Sequence, residues 1–112
     1  MKDDKLYLIH IRECIERAER YTADGGKDAF LASTLIQDAV MRNLQTMAES
    51  TQRLSDAAKE VHPEVDWYKI SGFRNVLVHG YLGVDLERVW IIVERDLPSL
   101  KRAITSMLKE RE

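Results

Sequence analysis

The sequence predicts an all-α protein built as an antiparallel bundle of four to five helices. Apolar residues recur every three to four positions through most of the 112 residues, the interval that places side chains on one face of a helix. Only five glycines and two prolines interrupt this pattern, and they fall at a few points. A chain of this length suits one hydrophobic core, so residues 1–112 are expected to form a single domain.

The first two predicted helices lie on either side of the pair Gly25-Gly26, which breaks helical continuity. The first covers residues 4–22, and its apolar stripe consists of Tyr7, Leu8, Ile11, Cys14, Ile15, Ala18 and Tyr21. The second is long and covers residues 27–61, and its stripe consists of Ala32, Leu35, Ile36, Ala39, Val40, Leu44 and Met47.

Pro63 separates the second and third predicted helices, and Asp66 is a favourable N-cap for the third. The stripe of the third helix consists of Trp67, Ile70, Phe73 and Leu77. The fourth helix begins near Asp85 and has the clearest stripe, which consists of Leu86, Val89, Trp90, Val93, Leu97, Leu100, Ile104, Met107 and Leu108. Pro98 lies inside that stripe, and because proline has no N–H it is expected to kink or restart the helix. The short links between helices favour antiparallel packing.

Charge and composition limit the classes of partner. The chain has 17 basic and 19 acidic residues, a formal net charge of −2, which argues against a broad basic face for nucleic acid. Any contact with RNA is therefore expected at a local cationic site. The single cysteine excludes a disulfide within the chain, and no apolar run approaches the ~20 residues of a membrane span. A soluble cytoplasmic protein without a membrane partner is expected.

The residues best suited to catalysis or ligand binding lie at the end of the third predicted helix. Arg74, Asn75, His79 and Tyr81 fall within eight positions, and Gly80 is a natural residue to end a helix. In the last helical turn the helix dipole favours the protonated form of His79. Asn75 precedes His79 by four positions, on the same face, where its amide is placed to hydrogen-bond the ring.

Arg74 and His79 are five positions apart, which is about 140° of rotation on an ideal helix. Either the helix unwinds near Gly80, or the site forms in a groove between two chains that each supply one motif. The second arrangement is favoured because paired motifs double the positive charge that faces a substrate. It predicts a homodimer.

This residue set suits phosphodiester cleavage, which needs a base, an acid and a cation beside the phosphate. His79 has the ordinary pKa range for either proton role, and Arg74 offers a planar, bidentate phosphate clamp. No metal or cofactor is required. The alternative is that both side chains only cap carbonyls and pair with acids, as neighbouring arginine and histidine often do.

The pattern Arg-x4-His-x-Tyr from Arg74 to Tyr81 resembles the signature of HEPN domains. More specifically, the chain resembles the HepT toxins of prokaryotic toxin–antitoxin pairs, and the resemblance covers nearly the whole length. The segments that carry it are Gln37-Asp38-Ala39-Val40, Arg42-Asn43-Leu44, His62-Pro63-Glu64-Val65-Asp66-Trp67, Gly72-Phe73-Arg74-Asn75, His79-Gly80-Tyr81-Leu82-Gly83-Val84-Asp85, Val89-Trp90 and Asp96-Leu97-Pro98.

The resemblance implies a dimeric helical bundle that cleaves RNA without a metal ion. It implies Arg74 and His79 as the catalytic pair, with Asn75 in support. The implied partner is a minimal nucleotidyltransferase that acts as antitoxin, within a larger hetero-oligomer, and that in some pairs transfers AMP to the motif tyrosine, here Tyr81. Two alternatives stay open, a non-catalytic HEPN module that binds and regulates a nucleotidyltransferase, and a structural helical dimer.

Asp38 is a second supporting candidate because a carboxylate on an otherwise apolar face usually has a partner. That partner is either the motif pair Arg74 and His79, or Arg42 in a structural ion pair four positions along the helix. The two interpretations have equal weight.

Five other residues are assigned structural roles. His10 and Cys14 have the spacing of two metal ligands, but two ligands do not make a metal site, and a core or surface role is expected. His62 is expected to be exposed in a loop. Trp67 and Trp90 lie on apolar stripes and are expected in the core rather than as base-stacking platforms.

Overall fold

A computed structural model describes residues 2–78, 83 and 85–111. Within these ranges the chain is helical and contains no strand. The helices are α1 Lys2–Ala23, α2 Gly26–Ala32, α3 Thr34–Gln52, α4 Asp56–Glu60, α5 Trp67–Val78, α6 Leu86–Ile91 and α7 Leu97–Lys109, with a π-helical turn Ile92–Asp96 between α6 and α7. The predicted all-α bundle is confirmed, with four long rods formed by α1, α3, α5 and the continuous α6–α7 segment.

Helix α1 lies at the centre of the bundle and runs antiparallel to two partners. Asp4, near the start of α1, bonds Ser55 just after α3, whereas His10, further along α1, bonds Ser50 within α3. The two helices therefore run in opposite directions. Glu19 of α1 accepts a bond from Lys101 of α7 at 2.8 Å. The core between these rods contains Leu8, Ile11, Ile15, Ala18, Val40, Leu44, Met47, Leu97, Ile104 and Met107. These residues belong to the predicted apolar stripes.

The predicted single helix over residues 27–61 is wrong at Ser33. Ser33 has an extended backbone (φ −121°, ψ 112°), and its Oγ accepts the N–H of Ile36 at 3.2 Å to cap α3. The Gln37 amide donates to the carbonyls of Phe30 at 3.0 Å and Leu31 at 3.1 Å. These bonds satisfy one N–H group at the start of α3 and two carbonyl groups at the end of α2, so the break between the helices costs little free energy.

The same predicted helix is broken again before α4. The hydroxyl of Ser55 caps α4 by accepting the N–H of Ala58 at 3.1 Å. The Asp4 carboxylate of α1 accepts bonds from the Ser55 N–H at 2.9 Å and its hydroxyl at 2.6 Å. A contact between residues 51 positions apart therefore stabilises this break, and the helical spacing of nearby residues does not predict it.

The predicted kink or restart at Pro98 corresponds in the structure to a π-helical turn just before the proline, within one continuous helical segment. The chain passes from α6 through the π-helical turn into α7, whose first turn contains Pro98. Because proline has no N–H, an uninterrupted α-helix would lose a bond there, and the wider turn accommodates the loss. Trp90, eight positions before Pro98, is buried against Phe30 with ring centroids 5.6 Å apart. No helix within the described ranges is long and apolar enough to cross a membrane.

Candidate functional site

Helix α5 places the predicted catalytic arginine. Asp66 caps the helix as expected, since its Oδ1 accepts the N–H of Lys69 at 3.0 Å. Ile70 and Phe73 are buried, and Leu77 packs partly buried against the core. These contacts fix the rotation of α5 about its axis and hence the direction of its outer side chains.

Arg74 is exposed on α5, four residues before the end of the helix at Val78. Its guanidinium makes no hydrogen bond or ion pair with any residue in the described part of the chain. Asn75, the next residue, is also exposed, and its amide has no partner there either. Neither group is therefore occupied by a described residue, and an arginine in this state can bind a phosphate through two parallel hydrogen bonds.

His79 and Tyr81 lie outside the described residues. Their predicted roles, the bond between Asn75 and the His79 ring, and the relation of His79 to Arg74 therefore stay predictions.

The expectation that Asp38 lies on an apolar face is wrong, because its side chain is exposed. It lies about 160° around α3 from the buried Val40. Its carboxylate bonds neither Arg42 nor Arg74. The structural ion pair is thus absent, and any contact with His79 stays a prediction.

A groove separates α5 from α6, with a volume of about 410 Å³. Its lining includes Tyr68, Gly72 and Val76 from α5 and Arg88 and Ile91 from α6. Tyr68 and Arg88 are not among the functional residues predicted from the sequence. The sequence does contain one indication of Tyr68. This residue lies opposite Ile70 on the helix, so the apolar stripe predicts that its aromatic ring faces solvent.

Comparison with known proteins identifies the family. Residues 11–107 match the family model described as ribonuclease HepT-like. The chain belongs to the HepT-like ribonuclease family. This range includes most of α1, all of α2 to α6 and most of α7, and it contains Arg74, so the match covers the whole bundle rather than one motif.

Two relatives show how the HepT-like chain compares in length. It is 34% identical over 108 residues to a Thermococcus cleftensis protein named "Probable ribonuclease HepT", covering 96% of this chain and 98% of that one. It is 38% identical over 109 residues to a Methanocaldococcus jannaschii protein named "Gamma-glutamylcyclotransferase and putative RNase", covering 97% of this chain. The chain spans about half of that second relative, 49% of its length. No solved structure matches the chain.

His62 of this HepT-like chain is buried, so the expectation of an exposed loop histidine is wrong. Its relative exposure is 9%. Its Nδ1 pairs with Glu64 at 2.8 Å and its Nε2 with Glu110 at 3.1 Å. These two carboxylates raise the pKa of His62 above its ordinary value. The His62 carbonyl accepts the indole N–H of Trp67 at 3.1 Å, so the histidine also fixes the start of α5.

His10 and Cys14 of the HepT-like bundle bridge α1 and α3, which confirms their structural role. His10 bonds the Ser50 hydroxyl, and the Cys14 thiol lies 3.4 Å from the Thr46 hydroxyl. Burial raises the pKa of the Cys14 thiol, which keeps it protonated and unreactive. The described residues contain no group of three or more side chains suited to hold a metal ion.

Proposed function

We propose that this protein is a metal-independent endoribonuclease toxin of a type II toxin–antitoxin module. The observation that carries the proposal is the exposed guanidinium of Arg74, which has no partner among the described residues, at the motif position in a chain of the HepT-like ribonuclease family. Such an arginine turns toward a phosphate without breaking a contact to any described residue. The net charge of −2 makes such a local cation more important, because the protein as a whole does not attract RNA.

In the proposed reaction, one His79 takes the proton of the ribose 2′-hydroxyl. The 2′-oxygen attacks the adjacent phosphorus, and the bond from phosphorus to the 5′-oxygen of the next nucleotide breaks. A protonated His79 donates a proton to that leaving oxygen, which yields a 2′,3′-cyclic phosphate and a 5′-hydroxyl. Arg74 binds the non-bridging oxygens and stabilises the charge that develops on them. Asn75 orients the imidazole.

The proposed active form is a homodimer in which two Arg74–His79 motifs face one groove. A groove of this kind brings together an arginine and a histidine that point about 140° apart on one helix. It also supplies two histidines, one for each proton transfer.

A minimal nucleotidyltransferase is the proposed antitoxin, bound to the toxin in a larger hetero-oligomer. It silences the site by binding, by transferring AMP to Tyr81, or by both. The added phosphodiester anion competes with substrate phosphate for Arg74, and the adenosine fills the groove mouth.

Induction of the wild-type chain in growing cells, beside His79→Ala, tests the proposal. Wild type is expected to arrest growth and to cleave RNA as a purified protein, whereas His79→Ala does neither. Arg20→Ala provides a matched control, because Arg20 is exposed on α1 and its guanidinium has no partner in the described part of the chain. Growth arrest by folded His79→Ala protein would instead favour the non-catalytic module that acts through a nucleotidyltransferase.

A further inference from the structure

Tyr68 is the most exposed large apolar residue described in the structure, at 91% relative exposure. It lies in the first turn of α5, and on an ideal helix Tyr68, Gly72 and Asn75 fall within an arc of about 60°. These three residues define the outward face of α5. A fully exposed aromatic ring on a face that also carries part of the motif suggests a contact with another molecule.

Gly72, one turn after Tyr68, is not required to be glycine by the described structure. Its backbone is not in the left-handed region, and a Cβ built there would meet no described atom within 4 Å. Glycine inside a helix costs about 1 kcal/mol relative to alanine. The missing side chain leaves the helix backbone open to close approach by another molecule.

The adjoining groove combines an apolar floor with a free cation at its edge. Ile91 is 45% exposed in the groove, and Val76 is half-buried. The guanidinium of Arg88 has no partner among the described residues. The acidic side chain in the lining, Asp96, is neutralised by Lys69 at 3.0 Å.

We propose that the outward face of α5 is a nucleobase subsite, in which one base of single-stranded RNA stacks on Tyr68. Gly72 leaves room for the base, and Arg88 binds a flanking phosphate. Stacking on an exposed aromatic ring beside a cation is the usual chemistry of single-strand recognition. The inference rests on the proposed RNA substrate and deepens it, because it specifies single-stranded RNA.

The position of Tyr68 relative to Arg74 suits this role. Arg74 lies six positions after Tyr68 on α5, about 9 Å along the axis at ~1.5 Å per residue and about 120° around it. Because stacked nucleotides advance by about 3.4 Å each, a strand that joins the base at Tyr68 to a phosphate at Arg74 wraps partly around α5 and spans at least three nucleotides. Tyr68 is thus a binding residue beside the cleavage site, not part of it.

A second copy of the chain is a less suitable occupant of this face. Covering the groove with protein would bury Arg88 away from water without an acidic partner in the described lining, and buried unpaired charge is depleted at the centre of protein interfaces. An RNA strand brings the compensating phosphate.

The test measures binding of a 2′-O-methyl RNA octamer that contains 2-aminopurine, whose fluorescence falls when the base stacks. This probe lacks the attacking hydroxyl, so the full chain binds it without cleavage. Tyr68→Ala is expected to weaken binding about tenfold or more, whereas Tyr68→Phe keeps the ring and stays within about twofold of wild type. Tyr21→Ala is the matched control, since Tyr21 is a partly exposed tyrosine on α1, and it is expected to leave binding unchanged.

Two further measurements separate stacking from a structural effect. Gly72→Ala is expected to raise the melting temperature and yet to weaken binding severalfold. An octamer with an abasic site at the contacted position is expected to bind wild type and Tyr68→Ala equally, because the base that stacks is missing.

Unchanged octamer binding by Tyr68→Ala overturns the subsite. A shift of this variant from dimer to monomer in sedimentation also overturns it, because that result would assign the outward face of α5 to contact with a second copy of the chain. If wild type cleaves RNA while Tyr68→Ala keeps the same KM and affinity, the subsite fails and the ribonuclease proposal stands. If Tyr68 governs octamer binding but wild type cleaves no RNA, the ribonuclease proposal fails and the subsite stands.

Discussion

His62 and Glu110 are joined by a hydrogen bond of 3.1 Å across 48 positions of sequence. The bond ties the segment before α5 to the end of α7. Because the His62 carbonyl also accepts the Trp67 indole N–H, the position of α5, and with it Arg74, depends on this contact. The same end of the bundle contains Asp4 and Arg111, which pair at 3.5 Å.

The first prediction concerns the pH dependence of stability. Glu64 and Glu110 raise the pKa of folded His62 above its ordinary value of 6.5, so the protonated form is stabilised in the folded state. This contribution is fully present below pH ~6 and is lost as the pH rises through the raised pKa. His62→Gln is expected to lower the free energy of unfolding at pH 6 by about 1 kcal/mol and by less at pH 8.5. Urea unfolding at both pH values measures this.

Glu110→Gln serves as the companion variant, because it removes one charge and keeps the side-chain shape. It should show part of the same loss at pH 6. Identical pH profiles for wild type and His62→Gln would contradict the assignment, since Asp4 and Arg111 stay charged throughout this range.

The second prediction separates the role of Arg74 in activity from any role in folding. Its side chain is exposed and has no partner among the described residues, so Arg74→Ala should change the free energy of unfolding by less than about 0.5 kcal/mol. RNA cleavage should fall at least a hundredfold, about the loss seen when one donor to a developing charge is removed. Arg74→Lys should fail as well, because an ammonium group does not form the bidentate contact.

Arg20→Ala, the matched control, should keep both stability and cleavage. Full activity of folded Arg74→Ala protein would remove Arg74 from the site.

The third prediction tests the groove between two chains. Wild-type and His79→Ala proteins are mixed in equal amounts, unfolded together, refolded and assayed. If both His79 side chains act in one groove, a mixed dimer lacks one of the two groups that transfer protons. Random mixing should then leave about a quarter of the cleavage of the same total amount of wild type, because only a quarter of the dimers carry both histidines. Cleavage at about half of that amount, with mixed dimers present by mass spectrometry, would place each site within one chain.

The fourth prediction concerns metal dependence and products. Cleavage by the purified protein should persist in EDTA, because the proposed proton transfers and phosphate contacts come from side chains. The products should carry 2′,3′-cyclic phosphates, or their hydrolysis products, and 5′-hydroxyl groups. Loss of cleavage in EDTA, or products with 5′-phosphates, would point to attack by metal-bound water instead.

The fifth prediction concerns Tyr81. Co-expression with the cognate nucleotidyltransferase should add the mass of AMP to wild type but not to Tyr81→Phe, and cleavage by the modified protein should be lost. Intact-mass and peptide spectrometry locate the addition. Complete neutralisation of Tyr81→Phe, with no added mass on wild type, would show that the antitoxin acts by binding alone.

Local spacing accounts for what the sequence predicted correctly about the site. The three-to-four periodicity of Ile70, Phe73 and Leu77 identified the buried face of α5, and Asp66 marked its beginning. On an ideal helix Arg74 lies only about 40° from Ile70, so the spacing alone puts it at the edge of the buried face, and its exposure is known only from the structure. For Asp38 the spacing itself was misinterpreted, because two positions from Val40 correspond to about 160° around the helix, which is the exposed side that the structure shows.

The sequence by itself determined the helical class, the rods α1 and α5 and the interruption near Pro98, because all of these depend on residues within about one helical turn of each other. The tertiary structure decided the breaks at Ser33 and Ser55 and the burial of His62. The breaks depend on Gln37 reaching two carbonyls of α2 and on Asp4 reaching Ser55, and the burial depends on Glu110. The pairs Asp4–Ser55 and His62–Glu110 form only when the packed rods bring their ends together, so the periodicity of a single segment does not predict them.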